Sequence, residues 1–147
     1  MEFIYLKQNY GMTINEINEL CKNSLVGHLN IEFLEYSETH VKAKMPVDDK
    51  TRQPMGFLHG GASIALAETV ASAGSVFTTD LEKYHVFGLQ VSANHISTAT
   101  GGTVIADALC IHKGKTTHVW EVEILDEEDK LISVARVTNI IIEKDKN

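Results

Sequence analysis

The segment from His59 to Thr79 constrains the fold more than any other part of this 147-residue chain. Its apolar side chains would cover almost every face of a helix, and most of them are small. A helix that is apolar all round is buried, and its small side chains let other elements approach closely. The segment therefore predicts a central helix around which the rest of the chain folds.

Segments with strand patterning surround this predicted helix. They are residues 30–36, 40–47, 85–98, 102–112, 117–125 and 131–142. In the second of them, Val41, Ala43 and Met45 alternate with Lys42 and Lys44, which is the period of a half-buried strand. Short connections between the last three favour antiparallel neighbours. The expected fold class is therefore α+β, with an antiparallel sheet of about six strands wrapped around a central apolar helix.

Two further patterns complete this layout. Thr13 and Glu16 have the spacing of a capping box, and Gly27 suits a helix stop, which together predict a short amphipathic helix over residues 13–25. The last predicted strand is apolar on both faces. Burial by another subunit or by a second layer follows from that, so a homo-oligomer is expected.

Composition and charge exclude several classes of protein. A chain of this length makes one domain, expected to span residues 1–147. The net charge of −7 argues against a nucleic-acid binder, which needs a basic face. The apolar runs are too short or too interrupted to span a membrane, and Met1 to Lys7 lacks the apolar core of a signal peptide.

The spacing of the histidines and cysteines gives no reason to expect a metal or another cofactor. The seven histidines lack metal-ligand spacing, so no metal site is expected. Cys21 and Cys110 lack C-x-x-C spacing, and reduced thiols in a cytoplasmic protein are the simplest interpretation.

Glu68 is the most informative polar residue, because it lies in the middle of the predicted apolar helix. No Lys, Arg or His occurs within residues 61–75 to pair with it. One interpretation is an acid on the single solvated stripe of the helix. The other is a carboxylate that faces a cleft, where it acts as a general base or a nucleophile.

The start of the same helix offers hydrogen-bond donors. The first N–H groups of a helix have no partner within it and carry the positive end of its dipole. Beside His59, Gly60 and Gly61 would let a ligand approach that backbone, so an N–H there can polarise a carbonyl group. Gln53 could supply a second donor. The alternative is a tight turn into the helix and an ordinary solvated glutamine.

A turn near residues 112–117 concentrates positive charge in an acidic protein. Lys113 and Lys115 flank Gly114 there, and together they could hold a phosphate group. The alternative is a solvated β-turn with ordinary lysines.

The loop and the helix that carry Gln53, Gly60 and Glu68 resemble those of a known family. The run from Gln53 to Glu68, QPMGFLHGGASIALAE, is similar to the signature of hotdog-fold acyl-CoA thioesterases of the phenylacetate-degradation-like branch. The resemblance extends to GL at 88–89, SANH at 92–95 and VWEVEI at 119–124. Within the branch, the chain resembles the 1,4-dihydroxy-2-naphthoyl-CoA and 4-hydroxybenzoyl-CoA thioesterases.

The resemblance implies hydrolysis of aryl or medium-chain acyl-CoA thioesters at sites shared between paired subunits. Glu68 of one subunit would be the nucleophile or general base, with Ser72 one helical turn later to orient the water or the acyl group. From the neighbouring subunit, the Gly60 N–H would polarise the thioester carbonyl, assisted by Gln53 and His59. Two such homodimers would form a tetramer.

The resemblance also implies a set of coenzyme A contacts. They would fall on Gly61, Gly88, His95, Ile96, Ser97, Thr98, His112, Lys113, Gly114, Lys115, Thr116 and Thr117. The chain departs from the pattern at Ser97, where close relatives often carry an arginine that suits phosphate.

Two other functions fit the same fold. A hotdog dehydratase would need a His–acid pair that is not found around the central helix. A non-catalytic acyl-CoA binding or sensing protein would share the cleft without needing Glu68.

Overall fold

The computed structural model of the protein describes residues 11–145. The segment from Met1 to Lys7, for which no signal peptide is expected, lies outside this range. Within it, no helix is both long and apolar enough to cross a membrane.

The described residues form three α-helices and six β-strands. The helices are α1 (Ile14–Cys21), α2 (Leu25–His28) and α3 (Gly60–Phe77). The strands are β1 (Glu32–Tyr36), β2 (His40–Pro46), β3 (Tyr84–His95), β4 (Thr103–Lys113), β5 (Thr117–Asp126) and β6 (Leu131–Glu143). The predicted central helix and all six predicted strands are present, with ends that differ by a few residues.

The six strands form one antiparallel sheet in the order β1-β2-β4-β5-β6-β3. Helix α3 packs across one face of it through a stripe of buried residues at helical spacing, among them Leu66, Val70 and Gly74. A methyl group on Gly74 would overlap the Trp120 ring, so this glycine lets the helix approach β5 closely. The structure confirms the predicted α+β layout of a sheet around a central helix.

The prediction of one helix over residues 13–25 is wrong in its extent. The capping box of Thr13 and Glu16 forms as expected, but α1 ends at Cys21. Lys22 is its C-cap, and Ser24 donates from Oγ to the Cys21 carbonyl oxygen at 2.6 Å and is the N-cap of α2. Gly27 is not a stop: it lies inside α2, where any side chain would strike the backbone carbonyl of Lys22.

Strand β3 forms one edge of the sheet. It has 12 residues and, among residues 11–145, pairs on one side only, with β6. Phe87 and Leu89 are 52% and 58% exposed, and most other residues of the strand are also exposed. A long edge with free backbone donors and acceptors is a template for pairing with another strand.

The sheet face that points away from α3 also carries exposed apolar residues. They are Leu109, Ile111 and Ile142. On the last strand, Ala135, Val137 and Ile141 are buried, whereas Ile140 is half-buried and Ile142 is exposed. The expectation that another subunit covers this strand stays a prediction.

Candidate active site

Glu68 lies in the middle of α3 and is half-buried. Its carboxylate reaches the backbone of β3, where a methyl group on Gly88 would overlap the Oε1 atom. No cationic side chain within residues 11–145 forms an ion pair with it. An unpaired carboxylate in such a place is free to take a proton from, or to attack, a group bound beside it.

An apolar cavity of about 460 Å³ opens beside this carboxylate. A second stripe of α3 forms one wall, and α1, α2 and β1 form the other. The lining residues are Ile17, Cys21, Leu25, Val26, Phe33, Ala65, Glu68, Thr69, Ser72, Ala73, Val76 and Phe77. Burial raises the pKa of the Cys21 thiol, so this wall stays uncharged. The cavity suits an apolar group whose reacting end meets Glu68.

The composition of the central helix predicts burial on all sides. That prediction is wrong for the stripe of the helix that faces the cavity. One stripe packs on the sheet, and the other, which mixes apolar residues with Glu68, Thr69 and Ser72, lines the cavity. Glu68 lies on the cavity side together with Ser72, one helical turn later, as the spacing predicts.

His59 is the N-cap of α3, and its hydrogen bond identifies the ring nitrogen that accepts. The Gly61 N–H donates to Nδ1 at 2.8 Å, so the proton of the neutral ring is on Nε2. The side chain is exposed, so this N–H is available to a ligand. The start of the helix thus carries a side-chain donor beside the Gly60 N–H.

His95 of β3 packs against the same helix start. A methyl group on Gly60 would lie 2.7 Å from the His95 Nε2 atom. Ser133 donates from Oγ to the Asn94 carbonyl oxygen, so it accepts from His95 Nδ1 at 3.3 Å. Gly60, His59 and His95 therefore meet at one place.

Gln53 lies in a short loop before the helix, and hydrogen bonds hold this loop in place. Its Oε1 atom accepts from the Met55 N–H, and its own backbone N–H donates to the Phe57 carbonyl at 2.8 Å. The backbone of Leu58 donates to Ala99, which ties the loop to the chain that follows β3. With its oxygen occupied, the Gln53 side chain offers its NH₂ group as a donor.

Within a single chain, Glu68 lies far from the start of α3. Glu68 follows Gly60 by eight residues of α3, which at 1.5 Å per residue is about 12 Å along the axis. The structure shows the same separation through their neighbours, since Glu68 touches Gly88 while Gly60 touches His95, at the far end of β3. The two groups of one chain cannot act on the same carbonyl carbon.

The residues predicted to contact coenzyme A are divided in the same way. Residues 95–98 lie at the Gly60 end of the sheet, where Ser97 donates from Oγ to the Leu131 carbonyl at 2.5 Å. The turn at residues 112–117 lies at the other end, because Thr117 is opposite Ile140 and Ile140 is opposite Phe87. Gly88 belongs to the Glu68 end, and Gly61 belongs to the helix start.

Cations lie near both segments. Lys113 is 4.0 Å from the Glu38 carboxylate, which partly offsets its charge, while Lys115 is exposed. Lys130 donates to the Thr98 carbonyl oxygen at 3.3 Å. Lys130 has no local sequence signal, because its place beside Ser97 depends on the return of β6 next to β3.

A buried polar network, not predicted from the sequence, lies beneath α3. Asn139 and Ser75 are fully buried, and Trp120 donates from Nε1 to Ser75 Oγ at 2.9 Å. The available signal was one asparagine in the apolar strand of residues 131–142. His118, 4% exposed, is buried nearby on β5.

Comparison with known proteins assigns the family. The family model of the thioesterase superfamily matches residues 55–133, more than half of the chain. The chain belongs to the thioesterase superfamily. A 1,4-dihydroxy-2-naphthoyl-CoA hydrolase of Escherichia coli is 37% identical to this thioesterase over 131 residues, which is 89% of this chain and 96% of that protein.

Solved structures also resemble this thioesterase. A thioesterase from Haemophilus influenzae has a TM-score of 0.85 at 42% identity, covering 90% of this chain and 92% of that one. A Streptococcus mutans protein, solved with bound acetyl CoA, has a TM-score of 0.71 at 27% identity, covering 80% and 92%. The predicted hotdog fold and thioester-hydrolase class are confirmed. Within the described part of this thioesterase, no cluster of His, Cys, Asp and Glu could hold a metal ion.

Proposed function

We propose that the protein hydrolyses aryl or medium-chain acyl-CoA thioesters to the free acid and coenzyme A. Water adds to the thioester carbonyl, the carbon–sulfur bond breaks, and the thiolate leaves and takes up a proton. The observation that carries the proposal is the Glu68 carboxylate, unpaired by any cation within the described residues, at the side of an apolar cavity of about 460 Å³. Glu68 either activates the water as a general base or attacks the carbonyl itself.

The start of α3 is the proposed site for the carbonyl oxygen. The Gly60 N–H belongs to the first turn of the helix, where the helix dipole favours negative charge. The free Nε2–H of His59 and the NH₂ group of Gln53 are further donors on the same side. Such preset donors stabilise the oxyanion that forms when the carbonyl is attacked.

Two subunits are proposed to share each active site. Glu68 and Gly60 of one chain are about 12 Å apart along α3, too far for one carbonyl group. Antiparallel pairing of two exposed β3 edges would place the Glu68 end of one chain beside the Gly60 end of the other. The resulting dimer would have two equivalent sites.

The same pairing would assemble the coenzyme A contacts. It would bring the turn at residues 112–117 of one chain towards residues 95–98 of the other. Lys113, Lys115 and Lys130 would supply positive charge for the phosphate groups. The acetyl CoA bound to the S. mutans protein supports this class of ligand.

The acyl group is assigned to the cavity between α3 and the α1–α2 wall. Its lining is apolar apart from Glu68, Thr69 and Ser72, which suits an aryl ring or a medium chain. The similarity to a hydrolase of 1,4-dihydroxy-2-naphthoyl-CoA favours aryl groups.

Residues 1–147 are proposed to act as one domain in a tetramer of two dimers. The exposed side chains of Leu109, Ile111 and Ile142 on the outer sheet face support contact between dimers. The free thiols of Cys21 and Cys110 suit the cytoplasmic location expected from the sequence.

The test is thiol release from a panel of acyl-CoA substrates by the wild type and by Glu68→Gln. The panel holds benzoyl, hydroxybenzoyl, hydroxynaphthoyl, phenylacetyl, hexanoyl and palmitoyl thioesters. Glu128→Gln, at the exposed turn between β5 and β6, is the matched control. We expect turnover that falls about a hundredfold or more in Glu68→Gln only.

Coenzyme A binding separates this activity from the second candidate function. Both variants should bind benzoyl-CoA, since Glu68 is not placed on the coenzyme A contacts. A folded wild type that binds every thioester and hydrolyses none is the result expected of a binding or sensing protein.

A further inference from the structure

Asn139 is a buried amide beneath the turn of α3 that follows Glu68, the proposed catalytic carboxylate. It is fully buried on β6, and it lies opposite Gly88 in the ladder between β3 and β6. Its neighbours on the same face, Val137 and Ile141, are apolar. A polar side chain in such a place needs hydrogen bonds, and these bonds define what it does.

The hydrogen bonds of Asn139 leave one orientation for its amide. Nδ2 lies 3.1 Å from the Ala71 carbonyl oxygen and 2.8 Å from Ser75 Oγ. Because a carbonyl oxygen only accepts hydrogen bonds, the atom that faces Ala71 must be the NH₂ group. The amide oxygen therefore faces the other way, where Ser72 Oγ is 3.3 Å from it.

This orientation fixes the direction of the Ser72 hydroxyl. An amide oxygen only accepts, so Ser72 donates its proton to Asn139. The lone pairs of Ser72 Oγ are then left for the cavity, which Glu68 also lines. Ser72 thus faces the cavity as an acceptor, not as a donor.

We propose that Asn139 is a positioning residue that makes Ser72 an acceptor for the water bound beside Glu68. The proposal rests on the proposed thioesterase site. A water that donates one hydrogen to Ser72 and the other to Glu68 points its lone pair at the carbonyl carbon. Glu68 then takes the second proton as the oxygen attacks, which makes Glu68 the general base.

The network has a second arm that serves as an internal control. Ser75 accepts from Asn139 and from Trp120 and does not line the cavity. Loss of Ser75 disturbs the contact between α3 and the sheet without changing the partner of Ser72. An effect on stability alone is therefore expected at Ser75, and an effect on catalysis is expected at Asn139.

The test is a double-mutant cycle on benzoyl-CoA hydrolysis. We expect Asn139→Ala and Ser72→Ala each to lower kcat about tenfold or more with little change in KM. The double variant should be no slower than Ser72→Ala, because both changes remove one interaction. Ser75→Ala should keep kcat within about twofold while its thermal midpoint falls.

Asn139→Asp keeps the inference testable if Asn139→Ala does not fold. Burial favours the protonated aspartic acid, whose O–H can donate to the Ala71 carbonyl oxygen while its other oxygen accepts from the Ser72 hydroxyl, so we expect kcat to stay near the wild-type value. A wild-type kcat in Asn139→Ala or in Ser72→Ala would overturn the inference. So would losses in kcat that add up in the double variant, or a kcat of Asn139→Asp as low as that of Ser72→Ala. Glu68→Gln separates the two levels: its inactivity supports the proposed function whichever way the cycle turns out.

Discussion

The carboxylate of Glu68 lies so close to the backbone of Gly88 that a methyl group on Gly88 would overlap its Oε1 atom. The contact joins the middle of the central helix to the edge strand β3. Any side chain at residue 88 must therefore displace the carboxylate. A substitution there tests the proposed role of Glu68 without changing Glu68 itself.

Gly88→Ala should lower thioester hydrolysis with little loss of stability. Gly88 is not among the glycines with positive φ, so its backbone accepts alanine. A shift of about 1 Å in a reacting group costs about a hundredfold in rate, and we expect a loss of that order in kcat. Gly101→Ala, whose methyl group would meet no described residue within 4 Å, is the control and should keep wild-type kcat. An active Gly88→Ala would argue against Glu68 as the reacting group.

Ala73→Leu should narrow the range of acyl groups. Ala73 lines the cavity, and the larger side chain occupies space assigned to the acyl group. We expect kcat/KM to fall about tenfold or more for benzoyl-CoA and hydroxynaphthoyl-CoA, with acetyl-CoA much less affected. Thr100→Leu in the exposed loop after β3 is the control. Equal losses for small and large acyl groups would place the acyl group elsewhere.

His118 should make the protein less stable in mild acid. It is 4% exposed, and its Nδ1 atom lacks a hydrogen-bond partner among the described residues. Burial, and then the charge of Lys113, lower its pKa below the ordinary value of 6.5. Between these two values the unfolded chain binds more protons, so the free energy of unfolding falls as pH decreases through that interval.

His118→Gln removes this titration and is the comparison. Urea unfolding of both proteins between about pH 5 and pH 7.5 measures the difference in slope. We expect the wild-type curve to fall more steeply towards low pH. Parallel curves would mean that His118 is protonated equally well in the folded and unfolded chains.

Periodicity predicted the elements that carry the fold. The small apolar residues of 59–79 and the alternation around Val41 are local signals, and local signals decide helix against strand. The break between α1 and α2 was missed because it depends on two hydrogen bonds from Ser24 to the Cys21 carbonyl oxygen and on the close approach of Gly27 to the backbone of Lys22.

The site was predictable only in its residue types. Glu68 stood out as an acid in an apolar helix, and Gly60 as a glycine at its start. Their distance and their different neighbours, Gly88 and His95, depend on how α3 crosses β3, which no local pattern encodes. Asn139 was missed for the same reason, since its partners come from another element about 65 residues away in sequence.

Subunit complementation tests the central claim most directly. Glu68→Gln removes one half of each proposed site. His59→Asn removes the imidazole from the other half, and asparagine is a favourable N-cap, so α3 keeps its start. Each variant alone should be nearly inactive, and each can be produced with its own affinity tag.

Mixed dimers of the two variants should regain activity, since one of their two sites combines Glu68 from one chain with His59 from the other. Thiol release from benzoyl-CoA by co-expressed, doubly purified dimers is the measurement. With one intact site of two, we expect about half the wild-type rate per dimer. Mixed dimers as inactive as the two single variants would contradict the account. That result is expected if each site is built within one chain, because every subunit then lacks either Glu68 or His59.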